Sequence, residues 1–157
     1  MVGARQRFAL ADTAQQIVGG FLLAGPFVVT EEVWVLARSM SATQGVITAL
    51  IVFAIGYGAL YKADNRDPDR EREVGGVPLR FISLILVSYL SVVILALAFD
   101  APGTFLAGLG AGDPALSLPG GVVLSGATVA VTAVTLKATS VGAVFSVIGA
   151  ATADSLF

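Results

Sequence analysis

From Phe81 to Phe99 the chain runs without a single charged residue, and a segment of that kind must be buried either in a protein core or in a lipid bilayer. Two further stretches compete for the same burial. Ile17 to Ala37 and Thr43 to Tyr61 each hold roughly 20 residues, enough at 1.5 Å per residue to cross a hydrocarbon core of about 30 Å. A chain of 157 residues cannot shield three such segments and a fourth apolar region, Gly121 to Phe157, within its own interior. Only 13% of the residues are charged, about half the share of a soluble domain. The expected fold is an all-α, polytopic transmembrane helix bundle.

The remaining charges are concentrated. Five of the nine basic residues (Lys62, Arg66, Arg70, Arg72, Arg80) and five of the eleven acidic ones (Asp64, Asp67, Asp69, Glu71, Glu73) fall between Tyr61 and Phe81. Opposite signs interleave, which gives no case for nucleic acid and makes a poor lipid magnet. The loop reads as a solvated connector: Asp67-Pro68 can start one mixed-charge turn and Gly75-Gly76 can end it. The loop at 100–120 carries no cation, so the positive-inside rule places the N-terminus and the 62–80 loop in the cytoplasm, in a cell membrane. Arg5 and Arg7 agree. The N-terminus has no continuous apolar core followed by a cleavage site, so the first span is expected to be retained.

The fourth region is too long for one crossing. It reads either as a span over 121–137 with an apolar helical tail over 138–157, or as two spans turning at Lys137-Ala138-Thr139-Ser140. No Gly or Pro marks that turn, which favours four spans over five.

With no cysteine and no histidine, thiolate and imidazole chemistry and their metal sites are excluded. No phosphate loop or nucleophile elbow occurs, so neither an enzyme nor a cofactor is expected. Only two of the nine cations are Lys, a bias that fits a GC-rich or salt-adapted prokaryotic source.

Function is sought where charge violates the membrane pattern. Pro26 removes the amide that would bond the Leu22 carbonyl, so the first helix should kink there, with Gly25 easing the bend. Leu22, Gly25, Val29 and Glu32 share one helical face, which aims a freed carbonyl and a carboxylate the same way. Gly25, Pro26, Thr30, Glu31 and Glu32 are therefore the candidate site for a cation or proton. The alternative has a glutamate reaching the headgroups while Trp34 anchors the interface. Lys137 lies roughly 13 Å deeper than the glutamates by helical rise, beyond pairing distance, and is expected to reach the cytoplasmic surface instead.

Ser125, Thr128, Thr132, Thr135 and Thr139, continued by Gly142, Ser146 and Gly149, recur at steps of three and four. The stripe either packs helices closely or lines a polar path, and in both cases it faces away from lipid. Gly45-x-x-x-Ala49 and Ala54-x-x-x-Gly58 add small-residue spacings that suit a homo-oligomer. The working expectation is a small cation or proton channel or transporter, with an inorganic ion as its ligand. Against it stands a non-conducting scaffold or sensor acting through the charged loop.

The pattern Gly19-Gly20, Pro26, Thr30, Glu32, Trp34 resembles the opening segment of a prokaryotic family of integral membrane proteins known only as a domain of unknown function. The match is specific over about 15 residues, and Val141-Gly142-Ala143 and Ile148-Gly149-Ala150 are compatible with it. Glu31 and the shorter length depart from the members it resembles. The resemblance implies a polytopic membrane protein and no particular activity.

Overall fold

A computed structural model describes residues 10–63 and 73–156. Arg5, Arg7 and the loop from Asp64 to Arg72, with its Asp67-Pro68 turn, lie outside the described residues.

The first apolar segment forms two helices. Helix α1, Leu10–Val28, starts with Asp12 in its first turn, where a carboxylate meets the positive end of the helix dipole. It passes through Pro26 and ends at Val28, and α2, Glu31–Ser39, leaves at an angle of 79°. The expected kink at Pro26 is therefore displaced to Val29–Thr30. Proline deletes one hydrogen bond of the preceding turn, but the end of a helix is decided by what satisfies its last carbonyls. Here the Thr30 hydroxyl donates to the Phe27 carbonyl at 3.0 Å, and the Trp34 indole N–H donates to the Val28 carbonyl at 3.0 Å. With those carbonyls bonded from outside the helix, α1 stops and the chain turns.

Helix α3, Ala42–Tyr57, opens on a capping box: Gln44 N–H donates to the Ser41 hydroxyl at 3.2 Å and Ser41 N–H to the Gln44 side chain at 2.7 Å. A π-helical turn over Gly58–Ala63 continues it. A hairpin pairs β1, Glu73–Val74, with β2, Val77–Pro78, across Gly75-Gly76, whose φ angles of 62° and 81° suit a tight reversal that glycine alone makes freely. Helix α4, Leu79–Ala98, is followed by the short α5, Ala101–Phe105, and by a second hairpin of β3, Leu116–Ser117, and β4, Val123–Leu124.

Helix α6, Gly126–Leu156, is unbroken for 31 residues, roughly 46 Å. It runs straight through residues 137–140, so the turn that a fifth span would require is absent. Ser125 caps it, accepting from Thr128 N–H at 3.1 Å.

Three helical units, Ala42–Lys62, Leu79–Ala98 and Gly126–Leu156, are long and apolar enough to cross a membrane, and the bent pair α1–α2 makes up to four. The architecture is an all-α polytopic bundle. Its centre is α1, α4 and α6, and glycine sets how closely they approach. A Cβ on Gly19 would stand 2.7 Å from the Gly149 carbonyl carbon and 2.7 Å from the Ala153 Cβ, so the α1 and α6 backbones touch. Gly20 faces the hydroxyls of Ser91 and Ser146, and Gly142 faces Val92. Helix α3 packs against the side of α6, with Gly56 against Ile85 and Val147. Large side chains such as Leu22, Leu50, Leu97 and Leu136 are exposed on the outside, the apolar exterior that a bilayer covers.

Candidate functional site

The residues singled out around Pro26 do not converge. Glu31 and Glu32 occupy the first turn of α2, exposed, where carboxylates favour the dipole of that helix. They border a shallow depression of about 400 Å³ with Val35, Leu36 and Ser39. The 79° bend separates Glu32 from Leu22 and Gly25, so the shared helical face does not exist. Nothing lies within 4 Å of a Cβ placed on Gly25, and Thr30 is spent on the Phe27 carbonyl. Trp34 is buried, holding the bend rather than marking an interface.

Lys137 donates to the Met40 carbonyl at 2.6 Å, at the junction between α2 and α3. That junction follows the end of α1, opposite to the end where α1 and α4 begin and α6 finishes. Lys137 thus reaches toward the end of the bundle away from Asp12, Arg80 and Asp154. Helix α6 begins at Gly126 rather than Gly121, and its first turns pack against the loop after α5, where Gly110 meets Ala130.

The hydroxyl stripe splits in two. Ser125, Thr128 and Thr132 are exposed, contrary to the expected inward face, because only the second half of α6 is enclosed by α1 and α4. Thr135 is half-buried, and Thr139, Gly142, Ser146 and Gly149 are buried. Within that half, Ser146 donates to the Gly20 carbonyl at 3.1 Å and Thr139 to the Thr135 carbonyl at 2.8 Å.

The strongest polar constellation among the described residues arises from a position that sequence reasoning passed over. Asp154, in the last turn of α6, is 4% exposed. A carboxylate at a helix C-terminus opposes the dipole and a buried one opposes desolvation, so it needs a cation. Arg80, in the first turn of α4 and itself buried, supplies it at 2.6 Å. The same guanidinium reaches Asp12 of α1 at 2.9 Å. Gln16, fully buried one turn further along α1, donates to Asp154 at 3.3 Å and accepts from the Ser83 hydroxyl at 2.7 Å. Three helix ends are tied through one guanidinium. The available signal was Asp154 itself, a lone carboxylate in an apolar helix. Its partner could not be read, because Arg80 looked like one of many loop cations.

The cluster is not a metal centre of the usual kind: among the described residues no group of three acidic side chains is close enough to share an ion. Elsewhere in the core Ser88 and Ser91 of α4 and Ser146 of α6 are also buried, and the Ser91 hydroxyl has no hydrogen-bond partner among the described residues.

A family model described as "Putative integral membrane protein (DUF2391)" matches residues 3–101, more than half of the chain. The chain belongs to that family. The DUF2391 match takes in the bend and Asp12, Gln16, Arg80 and Ser83, and it ends before α6, which brings Asp154 and Lys137. The glycine pair of the DUF2391 segment has a packing reason, the α1–α6 contact. No curated protein and no solved structure matches the chain.

Proposed function

We propose that this integral membrane protein is a small homo-oligomeric transporter for protons or an inorganic cation, with Asp154 rather than Glu32 as its ion-coupling carboxylate. The observation that carries this reading is the burial of Asp154 against Arg80 and Asp12. Two carboxylates share the Arg80 guanidinium there, an arrangement in which a proton or cation can exchange against the ion pair. Ionisable groups inside the apolar part of a membrane protein are expensive, and they commonly mark ion and proton pathways.

The α1–α6 backbone contact closes the middle of the protomer, so transport requires the helices to move and a permanently open pore within one protomer is disfavoured. Assembly is supported by Ala54-x-x-x-Gly58, whose Gly58 has nothing within 4 Å of a Cβ position and leaves a small-residue surface for a second copy. By the positive-inside rule the Arg80 end faces the cytoplasm of a cell membrane.

Reconstitution into liposomes loaded with a pH-sensitive or cation-sensitive dye tests the proposal. Wild type should pass protons or a monovalent cation. Asp154→Asn should abolish that flux while retaining its elution volume, and Glu32→Gln should leave it nearly unchanged. If wild type leaks no faster than empty liposomes, the transporter reading fails. A non-conducting scaffold, which the closed α1–α6 contact itself favours, then takes its place.

A further inference from the structure

Beside α3, away from the charged cluster, a groove of about 390 Å³ runs between α3 and α6. Ala42, Gly45 and Ala49 form one wall, Ala133 and Leu136 the other, and the Lys137 side chain lies in it. The sequence makes this groove in two ways. Small residues at one helical spacing thin the wall of α3, and Gly45 leaves room for the lysine stem, since a Cβ there would meet Lys137 Cγ at 3.1 Å.

The cation is held in an unusual state for a membrane helix. Its ammonium gives one proton to the neutral Met40 carbonyl, and among the described residues no carboxylate pairs with it. Two donors remain for an anion. Lys137 lies roughly 25 Å of helix from Asp154, and so does the end of α1 from Asp12, so the ammonium stands level with the far end of α1. In a bilayer that level is the boundary between acyl chains and headgroups. The flanking Val46 and Leu136 are exposed, which opens the groove sideways to lipid.

We infer that this groove binds one anionic phospholipid, with its phosphate on the Lys137 ammonium and an acyl chain laid along Gly45 and Ala49. Charge complementarity selects the lipid over a second copy of the chain. An apolar helix seated there would bury the ammonium against hydrocarbon, whereas a phosphate pairs with it.

The test is purification in nanodiscs of equal phosphatidylglycerol and phosphatidylcholine, followed by native mass spectrometry of the retained lipid. Wild type should retain phosphatidylglycerol over phosphatidylcholine by about fivefold, the ratio expected for one basic residue acting at a membrane surface. Lys137→Arg should keep that preference and Lys137→Met should bring it to parity. Gly45→Leu fills the groove with the lysine intact and should lose the retained lipid altogether. The inference is overturned if neither Lys137→Met nor Gly45→Leu changes the retained lipid. It is equally overturned if Ala49→Cys cross-links two copies, which would show a second protomer in the groove.

Discussion

Replacing Gly19 with alanine adds one methyl group at the point where α1 and α6 touch. The new Cβ would stand 2.7 Å from the Gly149 carbonyl carbon and closer still to its oxygen, and must reach about 3.4 Å for ordinary contact, so the two helices must part by at least about 0.7 Å. Both neighbours are rigid, one a backbone carbonyl and the other the Cβ of Ala153, and neither can rotate away. Parting by that distance stretches the Ser146 bond to the Gly20 carbonyl from 3.1 Å to about 3.8 Å, beyond hydrogen-bonding range. Overpacking of a tight interior costs about 1–3 kcal/mol, and an interhelical hydrogen bond in a membrane about 0.6 kcal/mol. The expected loss is therefore about 2–3 kcal/mol.

Gly25→Ala is the matched control, on the same helix with nothing within 4 Å of the added methyl. It should be neutral or stabilise by up to about 1 kcal/mol through reduced chain entropy. Reversible unfolding in mixed micelles, followed by circular dichroism, measures both. If Gly19→Ala unfolds within 0.5 kcal/mol of wild type, the close approach of the two backbones is wrong, and with it the packing reason for the glycine pair.

Arg80→Met removes the guanidinium that stands 2.6 Å from the buried Asp154 and should cost about 3–5 kcal/mol in the same assay, while Arg80→Met with Asp154→Leu should regain most of that loss. Trp34→Phe keeps the ring stacked near Phe105, with centroids 5.9 Å apart in the wild type, but removes the donor to the Val28 carbonyl; it should cost about 1–2 kcal/mol and broaden the spin-label distance distribution between α1 and α2. Pro26→Ala should leave that distribution centred where it is, because the bend belongs to Val29–Thr30; a straightened α1–α2 would show that proline sets it.

The apolar helices were legible because lipid imposes a uniform rule: a spanning helix must be long and free of charge, and that can be counted on the sequence. Proline was legible as a residue but misleading as a position. Its missing amide perturbs one turn, whereas the chain turns where Thr30 and Trp34 satisfy carbonyls from outside the helix, and Trp34 acts across six residues. Gly19-Gly20 stood out as a pattern, yet its reason needed a partner, Gly149, that only the fold brings near. Arg80 was hidden differently. Among five cations in one stretch it carried no mark of its own, and its selection depends on where α4 begins relative to Asp12 and Asp154. Lys137 was recognised as an exception to the membrane pattern, but its direction depended on where α6 starts, and the turn residues ahead of Gly126 are apolar enough to be counted into a span.

These contacts divide the bundle unequally. Helices α1, α4 and α6 are fixed at one end by the Arg80 ion pairs and along their length by glycine contacts and the Ser146 bond. At the far end, Trp34 and Arg38 bind α2 to α1 and to the Phe105 carbonyl. Helix α3 is held otherwise: it meets the other long helices through the ring contacts of Phe53 and Tyr57 with Phe81, the apolar fit of Gly56, Gly45 against the Lys137 stem, and the buried Val52. Its first turn is fixed by the capping box and by Lys137 on the Met40 carbonyl just before it. The surface through which α3 packs is apolar, so lipid can replace contacts that it gives up. The helix held chiefly by apolar surface thus borders the groove that carries Lys137, while the charged cluster ties the three helices at the centre of the bundle. Any motion that opens Asp154 must therefore break the Arg80 ion pairs and also separate α1 from α6 at the glycine contact.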